Sequence, residues 1–298
     1  MPTTSGPLIL LSPAKSLSFD GTMAKALAAV TPTMPKFLSK STELTSSLAK
    51  LSKKDIKTLM SLSDSLAELN HGRFQSFDEQ PTRIAIGAFQ GQAYQGLDAA
   101  SLSSAELDYC QGHLRILCGL YGILLPYDAL RPYRLEMSTK LSCPDGSPNL
   151  YKFWDDALTA SIAEEKPAWI LNVASQEYAK SVDLKALAAP PHTIPVITAS
   201  FPGPAVHAKM ARGEMVRFCA QNTVTAPEAL RAFRGSNGAW RYVPEASDET
   251  TYVFHRSAAG TAKKASGGGS SSRDGGGKKR GNEGEDASVA KPASRRRK

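Results

Sequence analysis

The first strong pattern along the chain is Leu8-Ile9-Leu10-Leu11, an uninterrupted apolar run that predicts a strand buried on both faces. Ser12-Pro13-Ala14-Lys15 follows at once. Ser ahead of Pro is a helix-start signal, yet Phe19-Asp20-Gly21 leaves little room for a helix, so the segment reads as a strand-to-turn junction. Helices dominate the next stretch: one over 36–51, a second opened by Ser52 with Asp55 at the capping-box position, and a third from Ser63 through Asn70. Their apolar residues Ile56, Leu59, Met60, Leu62, Leu66 and Leu69 recur at helical spacing. Residues 82–89, 168–173 and 196–201 read as strands, and 240–243 with 251–254 as a β-hairpin around a polar turn. Ser103 with Glu106 and Thr225 with Glu228 mark two more capping boxes, and the segment around 207–217 reads as another helix. Strands and helices alternate irregularly without a repeat or a linker. The expectation is an α/β (mixed α+β) fold over 1–256: a single domain, its mixed sheet surrounded by helices.

Composition changes that picture at one end only. From Ser257 the sequence turns to Gly and Ser triplets interrupted by Lys278-Lys279-Arg280 and Arg295-Arg296-Arg297-Lys298, a composition expected to form a disordered Gly/Ser-rich basic tail over 257–298. The net charge of +8 belongs mostly to that segment, which holds 11 Lys and Arg against 4 Asp and Glu; residues 1–256 hold 25 against 24. The basic clusters fit a solvated tail, a non-specific arm for phosphates or, in a nucleated cell, an import signal to the nucleus. An argument for nucleic acid on the folded part must therefore rest on local clustering. No window of the chain approaches the 18 or so apolar residues a membrane span requires, and residues 1–7 lack the pattern of a secretory signal, so a cytoplasmic protein with no membrane partner is expected. The four cysteines, Cys110, Cys118, Cys143 and Cys219, show no C-x-x-C spacing and read as buried thiols.

Familiar chemistry is missing from the sequence. It contains no phosphate loop, no G-x-G-x-x-G, no H-E-x-x-H, no G-x-S-x-G and no calcium loop, and its five histidines are too scattered for a local metal pair. No metal site and no cofactor is therefore expected. Ser12-x-x-Lys15 matches the S-x-x-K of penicillin-binding enzymes, but the S-D-N and K-T-G that complete such a site do not occur. What remains is position: Lys15 sits just past the carboxyl end of a central strand, where open α/β sheets hold their ligands.

Two segments concentrate charge. In 117–137, Gly119 and Gly122 bracket a tight turn or a close backbone approach, and Arg131, Arg134 and Glu136 surround Tyr133. Arg134 and Glu136 fall on one face of an extended chain, as an ion pair or as part of an anion site. In 205–241, six Lys and Arg stand against Glu214 and Glu228, with Lys209 and Arg212 on one helical face. A solvated surface or a groove that neutralises phosphates both fit this pattern.

Taken together, Leu11-Ser12-Pro13-Ala14-Lys15, Leu62-Ser63-Asp64, Gly119-Leu120-Tyr121-Gly122, Arg131-Pro132-Tyr133-Arg134-Leu135-Glu136-Met137, Phe153-Trp154, Asn172-Val173-Ala174-Ser175, Glu177-Tyr178 and Lys209-x-x-Arg212-Gly213 closely resemble the YaaA family of peroxide stress proteins, from about Leu8 to Arg256. The resemblance implies a cytosolic protein that limits hydrogen peroxide damage by keeping unincorporated iron low. It implies a YaaA-type fold with a basic cleft and a helix-hairpin-helix-like element, here the pair of helices within 52–70, associated with binding double-stranded DNA. Carried over by position, the DNA- or anion-binding residues are Lys15, Arg115, Arg131, Arg134, Asn172, Lys209 and Arg212, with Glu136 and Glu177 beside them. Acids among so many cations exceed what phosphate binding needs. A second expectation therefore stands next to the first: an enzyme acting on a nucleotide-like or other small anionic ligand, with Lys15, Glu136 and Glu177 as its catalytic candidates. Sequence-independent DNA binding as a monomer, without catalysis, is the leading expectation.

Overall fold

The computed structural model describes residues 6–21 and 23–257. The tail expected beyond Ser257 lies outside them.

Seven strands form the main sheet: β1 (Pro7–Leu11), β2 (Leu114–Cys118), β3 (Gly122–Leu124), β4 (Trp169–Asn172), β5 (Val196–Ser200), β6 (Trp240–Tyr242) and β7 (Thr251–Arg256). Their spatial order is β6-β7-β5-β4-β1-β2-β3. The five inner strands are parallel, and an antiparallel strand closes each edge. Every residue of β1, β2 and β4 is buried, as a parallel sheet covered on both faces requires. The helices used below are α1 (Leu38–Ala49), α2 (Lys53–Met60), α3 (Asp64–Gln75), α4 (Gln92–Leu97), α5 (Ser104–His113) and α6 (Ala205–Gln221). The protein is thus an α/β single-domain fold with a mixed sheet.

Chain order explains where a crevice opens. From β1 the chain adds β2 and β3 on one flank, then crosses back to lay β4 and β5 on the other. Such a switch point separates the loops that leave the carboxyl ends of neighbouring strands. Register places Leu10 opposite Asn172, and Val173 N donates to the Leu10 carbonyl at 3.0 Å. The loops starting at Ser12 and Val173 therefore leave the sheet side by side.

Capping chemistry marks most helix starts as expected. Ser52 with Asp55 and Ser103 with Glu106 form complete capping boxes, and Ser63 caps α3. The helix pair α2–α3 turns through Ser61 at φ 51°, left-handed backbone that ends α2. Two expectations need correction. Residues 82–89 are not one strand: Arg83–Ile84 and Phe89–Gln90 join two separate short ribbons, with one helical turn, Ala85–Ala88, between them. Ile84, Ala85, Ile86, Ala88 and Phe89 are all buried, so their spacing carries no period to distinguish the two states. Thr225 caps nothing; Pro227 opens a 3-10 helix, Pro227–Ala232, after Ala226. The strand-to-turn junction expected after Ser12 is present, with Ser16–Leu17 paired to Phe89–Gln90.

Candidate functional site

At the carboxyl ends of β1 and β4 lies a cavity of about 650 Å³. One wall is the loop after β1, from Ser12 to Ser16. Facing it are the segment after β4 with Ser175, Glu177 and Tyr178, the stretch Gln90–Tyr94, Glu136, and Lys209 with Arg212 from α6.

Glycine brings α4 and α6 into position. A Cβ on Gly213 would stand 1.6 Å from the Ala93 carbonyl oxygen, and one on Gly96 would stand 2.2 Å from that of Met210. Only bare backbones allow this approach. It holds Arg212, next to Gly213, and Lys209, one helical turn back, beside the start of α4. Arg217 fastens the same crossing, donating to the Leu97 and Asp98 carbonyls at 3.1 Å each. Glu136 reaches the cavity by a similar device: a Cβ on Gly119 would meet the Leu135 carbonyl at 2.5 Å, so the chain carrying Glu136 runs tightly over the β2–β3 turn. Gly122, at φ 69°, completes that turn, so the tight turn and the close approach expected of this pair both occur.

The polar groups sort into held and unheld. Ser12 Oγ accepts from Ser175 N at 2.8 Å and donates to Ser175 Oγ at 3.2 Å, clamping the two loops together. Tyr94 Oη donates to the Ser12 carbonyl at 3.1 Å. Glu136 is held twice: Lys15 Nζ lies 2.5 Å from Oε2 and Arg134 Nη2 3.2 Å from Oε1. Glu177 Oε1 accepts from Ser138 N at 3.1 Å and Ser138 Oγ at 2.7 Å, while its Oε2 has no partner among the described residues. Arg212 makes no hydrogen bond or ion pair among the described residues, and its Nε is buried without a partner. Burial pulls its guanidinium below the ordinary arginine value. An unmatched buried donor costs about 1–3 kcal/mol; Arg131 and Arg134 have a buried Nε of the same kind, and Arg212 differs from them in having no partner for the rest of its guanidinium among the described residues.

Of the expected site residues, Lys15, Glu136, Glu177, Lys209 and Arg212 converge on the cavity, and Arg134 backs it through Glu136. Three do not. Arg115 is buried in β2, paired with Glu165 through Nε and Nη2 and donating to the Leu114 carbonyl at 2.7 Å. Arg131 turns away, giving Nη2 to the Asp78 carbonyl at 3.0 Å over the Phe77 ring. Asn172, at the end of β4, accepts from Ala174 N at 3.1 Å and shapes the loop rather than lining the cavity. Arg231 lies 5.5 Å from the rings of Tyr242 and Tyr252, leaving it outside the site as well. Sequence reasoning missed Gln90, Gln92, Tyr94 and Ser175. Ser175 stands in the Asn172–Ser175 motif but was not singled out from it; the first three carry no motif, and only the pairing of Ser16–Leu17 with Phe89–Gln90 brings them to Ser12.

Comparison with known proteins places this geometry. Residues 8–246 match the family described as peroxide stress protein YaaA. The chain belongs to the YaaA family. Among its relatives are UPF0246 proteins of Burkholderia cenocepacia (43% identical, 84% of this chain and 98% of the relative) and Burkholderia multivorans (42%, with the same coverage). A UPF0246 protein of Burkholderia vietnamiensis is 42% identical over 263 residues. This YaaA protein therefore gathers, in one cavity, parts of four segments through which its sequence resembles the family: those holding Lys15, Glu136, Glu177 and Arg212.

Proposed function

We propose that this peroxide stress protein works by holding a small anionic ligand in the cavity between β1 and β4. The observation that carries the reading is Arg212: a guanidinium with a buried Nε and no protein partner among the described residues, lining the cavity. Lys209, exposed on the same helical face and equally without a partner among the described residues, adds a second positive charge. Open α/β sheets place ligands at such a switch point. The proposal includes action in the cytosol and the lowering of unincorporated iron as its cellular outcome. Among the described residues no group of three or more His, Cys, Asp or Glu is placed to hold a metal ion, so the reading routes no step through bound iron.

Double-stranded DNA is the second reading, favoured by the α2–α3 pair. It resembles a helix-hairpin-helix element and carries Lys53, Lys54 and Lys57 on its first helix. Lys57 is engaged by Asp64 at 2.7 Å and Lys53 by Glu68, which reduces the charge available to a phosphate backbone.

One variant tests the first reading and separates it from the second. Cells relying on a Lys209→Ala/Arg212→Ala protein of normal abundance should lose peroxide survival, while the purified variant keeps the salt slope of duplex binding. Full protection by the double variant would sink the small-ligand reading. A collapse of the salt slope would hand the cavity to DNA.

A further inference from the structure

The cavity has two poles of opposite character. Lys15 and Arg134 both engage Glu136, at 2.5 and 3.2 Å, so these three charges largely answer one another. What is left unmatched is Lys209 and Arg212 on α6, the buried Nε of Arg134 and, from the loop after β4, Glu177 with one oxygen unpartnered among the described residues. A simple anion would satisfy the first pole and leave Glu177 facing it. A ligand that complements both carries an anionic group and an N–H donor. The rest of the lining fits the body of such a molecule: Gln90 and Gln92 offer amides, and Tyr94 and Tyr178 flank them with rings. The volume, about 650 Å³, lies within the range of pockets that enclose a small organic ligand.

We infer that the cavity takes a nucleoside monophosphate whose base bears an exocyclic amino group, with the phosphate on Arg212 and Lys209 and the amino group donating to Glu177. Guanidinium forks match phosphate oxygens, and a carboxylate accepts from the amino group of cytosine. Glu177 thereby acts as the specificity-determining residue: a uracil ring places a carbonyl oxygen where cytosine has its amino group, and that oxygen meets the carboxylate as a repelling acceptor. This inference rests on the anion-site reading above.

Cytidine and uridine monophosphates differ at that position and at the neighbouring ring nitrogen, which accepts a hydrogen bond in cytosine and donates one in uracil. Calorimetric titration of the full chain with each, and with inorganic phosphate, is the test. Cytidine monophosphate should bind roughly tenfold or more tightly than uridine monophosphate, the scale at which a polar group left unpaired discriminates. In Glu177→Gln, whose amide both donates and accepts, the two should approach parity; the unaltered melting point of this conservative variant shows that the fold is kept. Equal binding of both nucleotides and phosphate by the wild type would overturn the inference but leave the anion site standing, provided that Arg212→Ala abolishes it. No binding of any of the three would overturn both.

Discussion

The crossing of α4 and α6 makes a demand that one methyl group can test. In Gly213→Ala the new Cβ would fall 1.6 Å from the Ala93 carbonyl oxygen, where ordinary van der Waals contact begins at 3.4 Å. The obstacle is backbone, not a side chain that can swing aside, so the helices must part by about 1.8 Å at the crossing. Overpacking of a well-filled core costs about 1–3 kcal/mol, and a rigid backbone obstacle belongs at or above the top of that range. We expect Gly213→Ala to lose about 3 kcal/mol or more in urea unfolding, and any anion affinity to fall with it because Arg212 moves off the start of α4. Gly72→Ala is the control. It lies inside α3, and a Cβ added there would have nothing within 4 Å, so it should gain about 0.5–1 kcal/mol from reduced freedom of the unfolded chain. If Gly213→Ala unfolds at the wild-type midpoint with an unchanged slope, the close crossing does not exist, and the positioning of Arg212 argued from it falls.

Three further outcomes follow from the burial of particular groups. Burial pushes Cys110 up to about 12 and Cys118 and Cys143 up to about 11, and raises Cys219 further, so a thiol reagent at pH 7 should label none of them until the protein unfolds, and replacing all four with Ser should leave peroxide protection intact. Desolvation holds His113 below its ordinary value of 6.5, so the unfolded chain takes up the proton first; stability should be complete above pH 6.5 and decline below it, and His113→Gln should flatten that decline in urea midpoints measured from pH 8 to 5. Arg115→Ala should cost about 3 kcal/mol, because Glu165 loses its partner and backbone carbonyls lose their donor, while ligand affinity at a temperature where the variant is folded stays at the wild-type value.

How much of this was legible beforehand depended on whether the signal was local. Leu8-Ile9-Leu10-Leu11 announced a central strand because a doubly covered strand has no polar face, and Ser52 and Ser103 announced helix starts because their capping partners sit three residues on. Residues 82–89 and β2 defeated the pattern for the same reason that made β1 visible: wholly buried segments show no alternation, and nothing local tells a one-turn helix from a strand. At the site, Lys15, Glu136, Glu177, Lys209 and Arg212 were readable as charged residues within recognisable motifs. Arg115 carried the same formal charge, and what removes it is Glu165, fifty residues away in sequence. Tyr94 and Gln90 came from outside every motif, brought in by a ribbon of two residue pairs.

The central claim, that Arg212 waits for an anion, is tested most directly by soaking crystals of the protein in selenate and mapping the anomalous signal. The account expects a selenate oxygen within about 3 Å of a guanidinium nitrogen of Arg212, with Lys209 turned toward it, and no such peak in Arg212→Ala. Selenate bound elsewhere with Arg212 paired to a carboxylate of the protein itself would contradict it.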